Sequence, residues 1–176
     1  MGGLEFTLWR KNTVGRFLQI CCIGSILLLV FVTLEGIIAA HGPASLALLL
    51  GGKANHVTLG ILFTIFLLFT HTITMFYFIG TGSAVKEVAR TNAALVPLYE
   101  KTRRFKARTS GLLTLAPVLL MASSIAGAGV AGGSIAPSIH LAMALVAVVF
   151  NLFTLWRVCG VIGENIDLMA EANRLA

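Results

Sequence analysis

The sequence predicts an all-α integral membrane protein, a four-helix bundle, from its composition and from four long apolar segments. Apolar residues make up 57% of the chain and charged residues only 11%, with a mean hydropathy of +0.93. Soluble domains carry about 25% charged residues, so a water-facing exterior cannot be built over most of this chain. The length of 176 residues suits one domain, and we expect 1–176 to form a single transmembrane domain.

Four apolar segments are each long enough to cross a bilayer. They run over about 17–40, 57–80, 110–131 and 137–162. A helix needs about 20 apolar residues to cross about 30 Å of hydrocarbon, and a helix satisfies its own backbone polar groups there. The longer connections are predicted as an outer loop over 41–56 and a cytoplasmic basic loop over 81–109, in which 81–90 keeps helix-forming residues and continues the second helix.

The basic residues predict which side each connection faces. All but Lys53 of the 13 lysine and arginine residues lie in 1–16, in 81–109 or towards the C-terminal end. Because such residues are retained in the cytoplasm, both termini and the basic loop are predicted to be cytoplasmic. The predicted location is the bacterial inner membrane, crossed several times. The net charge of +6 arises mostly from these cytoplasmic basic residues. They favour contact with anionic lipid headgroups and do not predict nucleic-acid binding.

The polar residues inside the apolar segments form two predicted layers. Counting about 1.5 Å per residue from the outer helix ends gives an outer layer of ionisable side chains: Glu35, His41, His56 and His140. His71 and Asn151 lie deeper, about 21 Å from the outer ends. Because polar groups in lipid face the protein interior, we expect His71 and Asn151 to meet as a buried polar pair.

The outer layer predicts a haem b site held by His56 and His140. These histidines lie at similar predicted depth on parallel helices, and each is followed at the same offsets by Phe and by Leu-Phe-Thr, as in a repeated hairpin. Imidazole is a common axial ligand of haem iron, and bundle cores hold such cofactors. Glu35 and His41 complete the candidate cofactor site, and His41 with His140 is the competing ligand pair. A partner should orient the second nitrogen of each ring; Glu35 or the hydroxyls of Thr58 and Ser138 could serve.

The spacing of His56 and His71 resembles the paired histidines on one helix of two-haem cytochrome b proteins. The layout resembles the four- or five-helix cytochrome b anchors of quinone-linked respiratory enzymes. The resemblance implies a small redox subunit that transfers electrons to or from quinone, with Glu35 or His41 accepting a proton. Leu155 stands where a second ligand opposite His71 would be needed, so one haem is implied and not two.

A non-redox bundle is the alternative function. In it the chain is a structural or assembly subunit, with other membrane subunits as partners, or a small transporter acting as a homo-oligomer. The histidines would then be structural or pH-sensing, or the outer imidazoles with Glu35 would bind Zn or Cu, first through His56 and His140. Small residues such as Ser123 and Gly127 would serve helix packing. The sequence contains no His-Glu-x-x-His and no Gly-x-Ser-x-Gly, so no enzymatic activity is assigned.

Overall fold

A computed structural model of the chain describes residues 2–43, 45 and 52–175, with side chains described over 13–40, 42–43, 45 and 55–175. Four long helices make up these residues: α1 (Gly2–His41), α2 (Gly52–Ala89), α3 (Val96–Ala131) and α4 (Pro137–Leu175). A short 3-10 helix, Ala93–Leu95, precedes α3. Over the described part of the chain the fold is all-α, which confirms the predicted class.

All four helices are long and apolar enough to cross a membrane. The spans are Thr13–Ala40, Asn55–Ala89, Ala93–Ala131 and Pro137–Leu175. Large apolar side chains lie exposed along each of them, for example Ile20, Phe69, Ile125 and Val149. Lipid solvates such side chains as well as a protein core does, so this exposed surface is the one that a multi-pass membrane protein needs.

The helices extend well beyond the apolar segments. The region 81–109 was predicted as a basic loop in which 81–90 continues the second helix. It is helical except at 90–92, with the 3-10 helix at 93–95 leading into α3. Lys, Arg and Glu are good helix formers, so the basic residues there continue both helices into water. Asn92 ends the turn by accepting a hydrogen bond at Oδ1 from the backbone N–H of Ala94, at 3.0 Å. The predicted outer loop over 41–56 lies partly outside the described residues.

The chain divides into two compact units, and each contains a segment of every helix. Unit 1 is made of residues up to 23, 70–114 and from 156 onwards. Buried apolar side chains fill it, with Leu18, Leu95, Ile162 and Met169 among them. A buried hydrogen bond from Asn165 Nδ2 to Thr81 Oγ1, at 3.2 Å, joins α4 to α2.

Unit 2 is made of residues 24–69 and 115–155. Leu29, Leu67 and Ala147 are buried in its core. The hydroxyl oxygens of Thr64 on α2 and Ser124 on α3 lie 2.9 Å apart and are hydrogen-bonded. Unit 2 also holds the histidines of the predicted outer layer whose side chains are described. That residues 1–176 act as one domain stays a prediction.

Fusion reporters will test the membrane topology. Reporters at residue 95 and at the C-terminus are expected to read cytoplasmic, and one inserted within 43–53 to read external, because the basic residues concentrate at one end of the spans. Paired alkaline phosphatase and fluorescent-protein fusions measure this, since each is active on only one side. An external signal at residue 95 would contradict the orientation.

Candidate functional site

Glu35 on α1 and His56 on α2 are joined by a hydrogen bond in unit 2. His56 Nδ1 lies 2.8 Å from Glu35 Oε2, and the side chains of His56 and Glu35 are 31% and 1% exposed. An ionised carboxylate can only accept hydrogen bonds, so His56 donates from Nδ1. The other ring nitrogen, Nε2, is therefore the one that a metal or ligand could take.

The second carboxylate oxygen of Glu35 has no hydrogen-bond partner among the described residues. This oxygen, Oε1, is fully buried. A buried polar atom without a partner lowers the free energy of unfolding by about 1–3 kcal/mol. A proton or a ligand's hydrogen bond at Oε1 would therefore be stabilising. It is the atom of the site best placed to accept a proton or a ligand's hydrogen bond.

His140 on α4 is oriented through the same ring nitrogen as His56. Its Nδ1 lies 3.2 Å from the backbone carbonyl oxygen of Ser123 on α3. A carbonyl oxygen can only accept a hydrogen bond, so Nδ1 of His140 is protonated and donates the hydrogen bond. In the neutral ring Nε2 is then unprotonated and available as a ligand atom.

Each of these histidines lies against a glycine of the preceding helix. A Cβ atom added at Gly36 would overlap the His56 ring, and one added at Gly127 would lie 3.0 Å from Cε1 of His140. Only the missing side chains let the rings approach the backbone this closely. At Gly60, one turn after His56 on α2, a Cβ would meet open space.

Contacts between the helices set the depth of each histidine in unit 2. Thr64 and Ser124 lie level because their hydroxyls are bonded, and His140 lies level with Gly127. At about 1.5 Å per residue, His56 is about 12 Å outward of Thr64, whereas His140 is only about 4–5 Å outward of Ser124. The His56 side chain therefore lies farther outward than that of His140.

The remaining predicted site residues fall outside this arrangement. His41 is the last residue of α1, and its side chain lies outside the described residues. His71 and Asn151 are both buried, His71 in unit 1 and Asn151 in unit 2. Asn151 Nδ2 donates to the carbonyl oxygens of Ala147 at 2.8 Å and Ala116 at 3.2 Å. The pairing of His71 with Asn151 stays a prediction.

Metal binding by three or more side chains is not supported within the described part of the chain. No group of three His, Cys, Asp or Glu side chains that could hold an ion occurs there. Cys21, Cys22 and Cys159 are free thiols. A centre with three imidazoles would require His41, and binding by His56 and His140 stays a prediction.

Three partners of the site were not predicted: the Ser123 carbonyl, Gly36 and Gly127. The Ser123 carbonyl carries no sequence signal, because every residue has one. Gly36 could have been noticed as the neighbour of a buried acid, and Gly127 was singled out only as a packing residue. In unit 1, the buried contact of Thr81 with Asn165 was also missed.

Comparisons with protein-family models, with curated proteins and with solved structures find no match to this chain. The chemistry of the site therefore has to be read from its own side chains.

Proposed function

We propose that this chain is a small haem-binding redox subunit of the bacterial inner membrane, similar in type to cytochrome b anchors. The observation that carries the proposal is the matched use of ring nitrogens: His56 and His140 each bond an oxygen through Nδ1, which leaves Nε2 for iron. Metal-ligating histidines almost always have their second nitrogen oriented in this way. Haem b, when bound, would supply one-electron transfer.

The protein's part is to hold the two imidazoles in place. The Glu35 carboxylate would fix the His56 ring and increase its basicity as a ligand, and the Ser123 carbonyl would do the same for His140. Both hydrogen bonds run between neighbouring helices. The positions of the ligands therefore depend on how α1 packs on α2 and α3 on α4.

Quinone is the proposed electron partner, and Glu35 is the proposed proton acceptor. Oxidation of a quinol releases protons from its hydroxyl groups, so a site that accepts its electrons needs a nearby base. The buried, unpartnered Oε1 of Glu35 supports this role.

The reduced-minus-oxidised absorption spectrum tests the proposal. Protein purified from cells supplied with haem should show a Soret difference that His56→Ala and His140→Ala each abolish. His71→Ala is the control and should leave the spectrum unchanged. If His41→Ala abolishes the signal and His56→Ala does not, the ligand pair is His41 with His140. A colourless wild-type preparation would contradict haem binding.

The difference in depth favours a second function, the non-redox bundle. Two nitrogens on one metal must come within about 4 Å of each other, and the more outward position of His56 relative to His140 works against this. The same contacts would then tie helices together in a structural or assembly subunit or a small oligomeric transporter. In that case His56→Ala lowers the stability of a protein that is colourless from the start.

A further inference from the structure

The basic end of unit 1 contains a groove between α2 and α3. Its lining includes Met75, Phe78, Ile79, Lys106, Ser110 and Leu113. Along α3, the charged Lys106 lies at one end, the hydroxyl of Ser110 follows one turn later, and the apolar Leu113 follows two turns later. The surface of the groove is almost wholly apolar, and the α3 side chains that border it change from cationic to apolar over about 10 Å.

Among the described residues Lys106 has no carboxylate partner, unlike Arg103 and Arg108 on the same helix. Arg103 pairs with Glu100 at 3.2 Å, and Arg108 pairs with Glu164 at 3.7 Å. Lys106 is exposed, and no described carboxylate lies within ion-pair distance of it. Its positive charge is therefore free to meet an external anion.

The groove lies where the apolar spans meet water. Gly15 on α1 packs against Tyr77, the neighbour of a groove residue, so the exposed Arg16 lies at about the depth of Lys106. Basic side chains at the end of a span extend towards the lipid headgroups while their stems remain in the apolar layer. We therefore expect Lys106 at headgroup depth and the apolar part of the groove at acyl-chain depth.

We propose that this groove binds an anionic phospholipid. The phosphate would contact the Lys106 ammonium and the Ser110 hydroxyl, and an acyl chain would lie along Met75 and Leu113. Charge-assisted hydrogen bonds make lysine a good phosphate ligand, and basic pockets between membrane helices are known places for anionic headgroups. The order of cationic, hydroxyl and apolar side chains matches the order of groups in such a lipid.

Native mass spectrometry in detergent tests this with phosphatidylglycerol and phosphatidylcholine of the same acyl chains. The protein is expected to retain phosphatidylglycerol in preference, and Lys106→Gln to weaken its binding about fivefold. Lys101→Gln is the matched control, because Lys101 is exposed on the same helix but does not line the groove. Lys106→Arg should retain binding.

A second variant tests the apolar half of the groove. Ile79→Trp fills it without changing any charge and should also lower phosphatidylglycerol retention, which a purely diffuse attraction would not predict. Equal retention of the two lipids would overturn the proposal, as would equal losses in Lys101→Gln and Lys106→Gln. Displacement of the lipid by an equal concentration of glycerol phosphate would show that a free phosphate, and not a lipid, is the ligand.

Discussion

His56→Leu is expected to destabilise the protein by about 2 kcal/mol, because Glu35 stays behind in a buried position without its partner. Removing one member of a buried ion pair costs about 3–5 kcal/mol, whereas replacing both members with apolar residues is often neutral. The His56 side chain is 31% exposed, so water reaches the pair. The expected cost is therefore about 2 kcal/mol, less than for a fully buried ion pair. The double variant Glu35→Leu/His56→Leu should recover most of the lost stability.

The free energy of unfolding, measured by titration with a denaturing detergent, gives the coupling between the two residues through a double-mutant cycle. His140→Leu is the comparison, because it removes a hydrogen bond to a neutral carbonyl and leaves no charge behind. Interhelical hydrogen bonds in membranes contribute about 0.6 kcal/mol on average. If His56→Leu costs no more than His140→Leu, the contact with Glu35 does not act as an ion pair.

Hydropathy alone was enough to find the four membrane-spanning helices, because the need for internal backbone hydrogen bonding in lipid leaves few other structures. It could not find where the helices end. Residues 96–109 are mostly polar and were predicted as part of a loop, yet they continue α3, whereas the continuation of α2 past Gly80 was expected from the helix-forming residues there. Hydropathy reports the surroundings of a segment, and helix propensity reports its conformation.

The candidate site was predictable in its members but not in its geometry. Glu35, His56 and His140 stood out because ionisable groups are costly in lipid and need a reason to be there. The depth of His140 relative to His56 depends on how α3 packs on α2, through the bonded hydroxyls of Thr64 and Ser124. Such packing contacts join residues far apart in sequence, so counting along one helix cannot reveal them.

Gly36→Ala is expected to break the contact between Glu35 and His56 while leaving both residues in the chain. The new Cβ would overlap the His56 ring, so the ring must move away from the Glu35 carboxylate. The expected loss of stability is about 1–3 kcal/mol, the usual range for overpacking a well-filled site. Loss of the haem spectrum should accompany it if His56 is an iron ligand.

Gly24→Ala is the matched control, since it lies on the same helix and in the same unit with open space around its Cβ position. Alanine is favoured over glycine in a helix by about 0.5–1 kcal/mol, so this variant should be neutral or more stable than the wild type. The two alanine variants are therefore expected to differ by about 2–4 kcal/mol in unfolding free energy. Equal stability of the two variants would mean that the His56 ring does not lie against Gly36. The packing inferred to hold His56 in position would then be wrong.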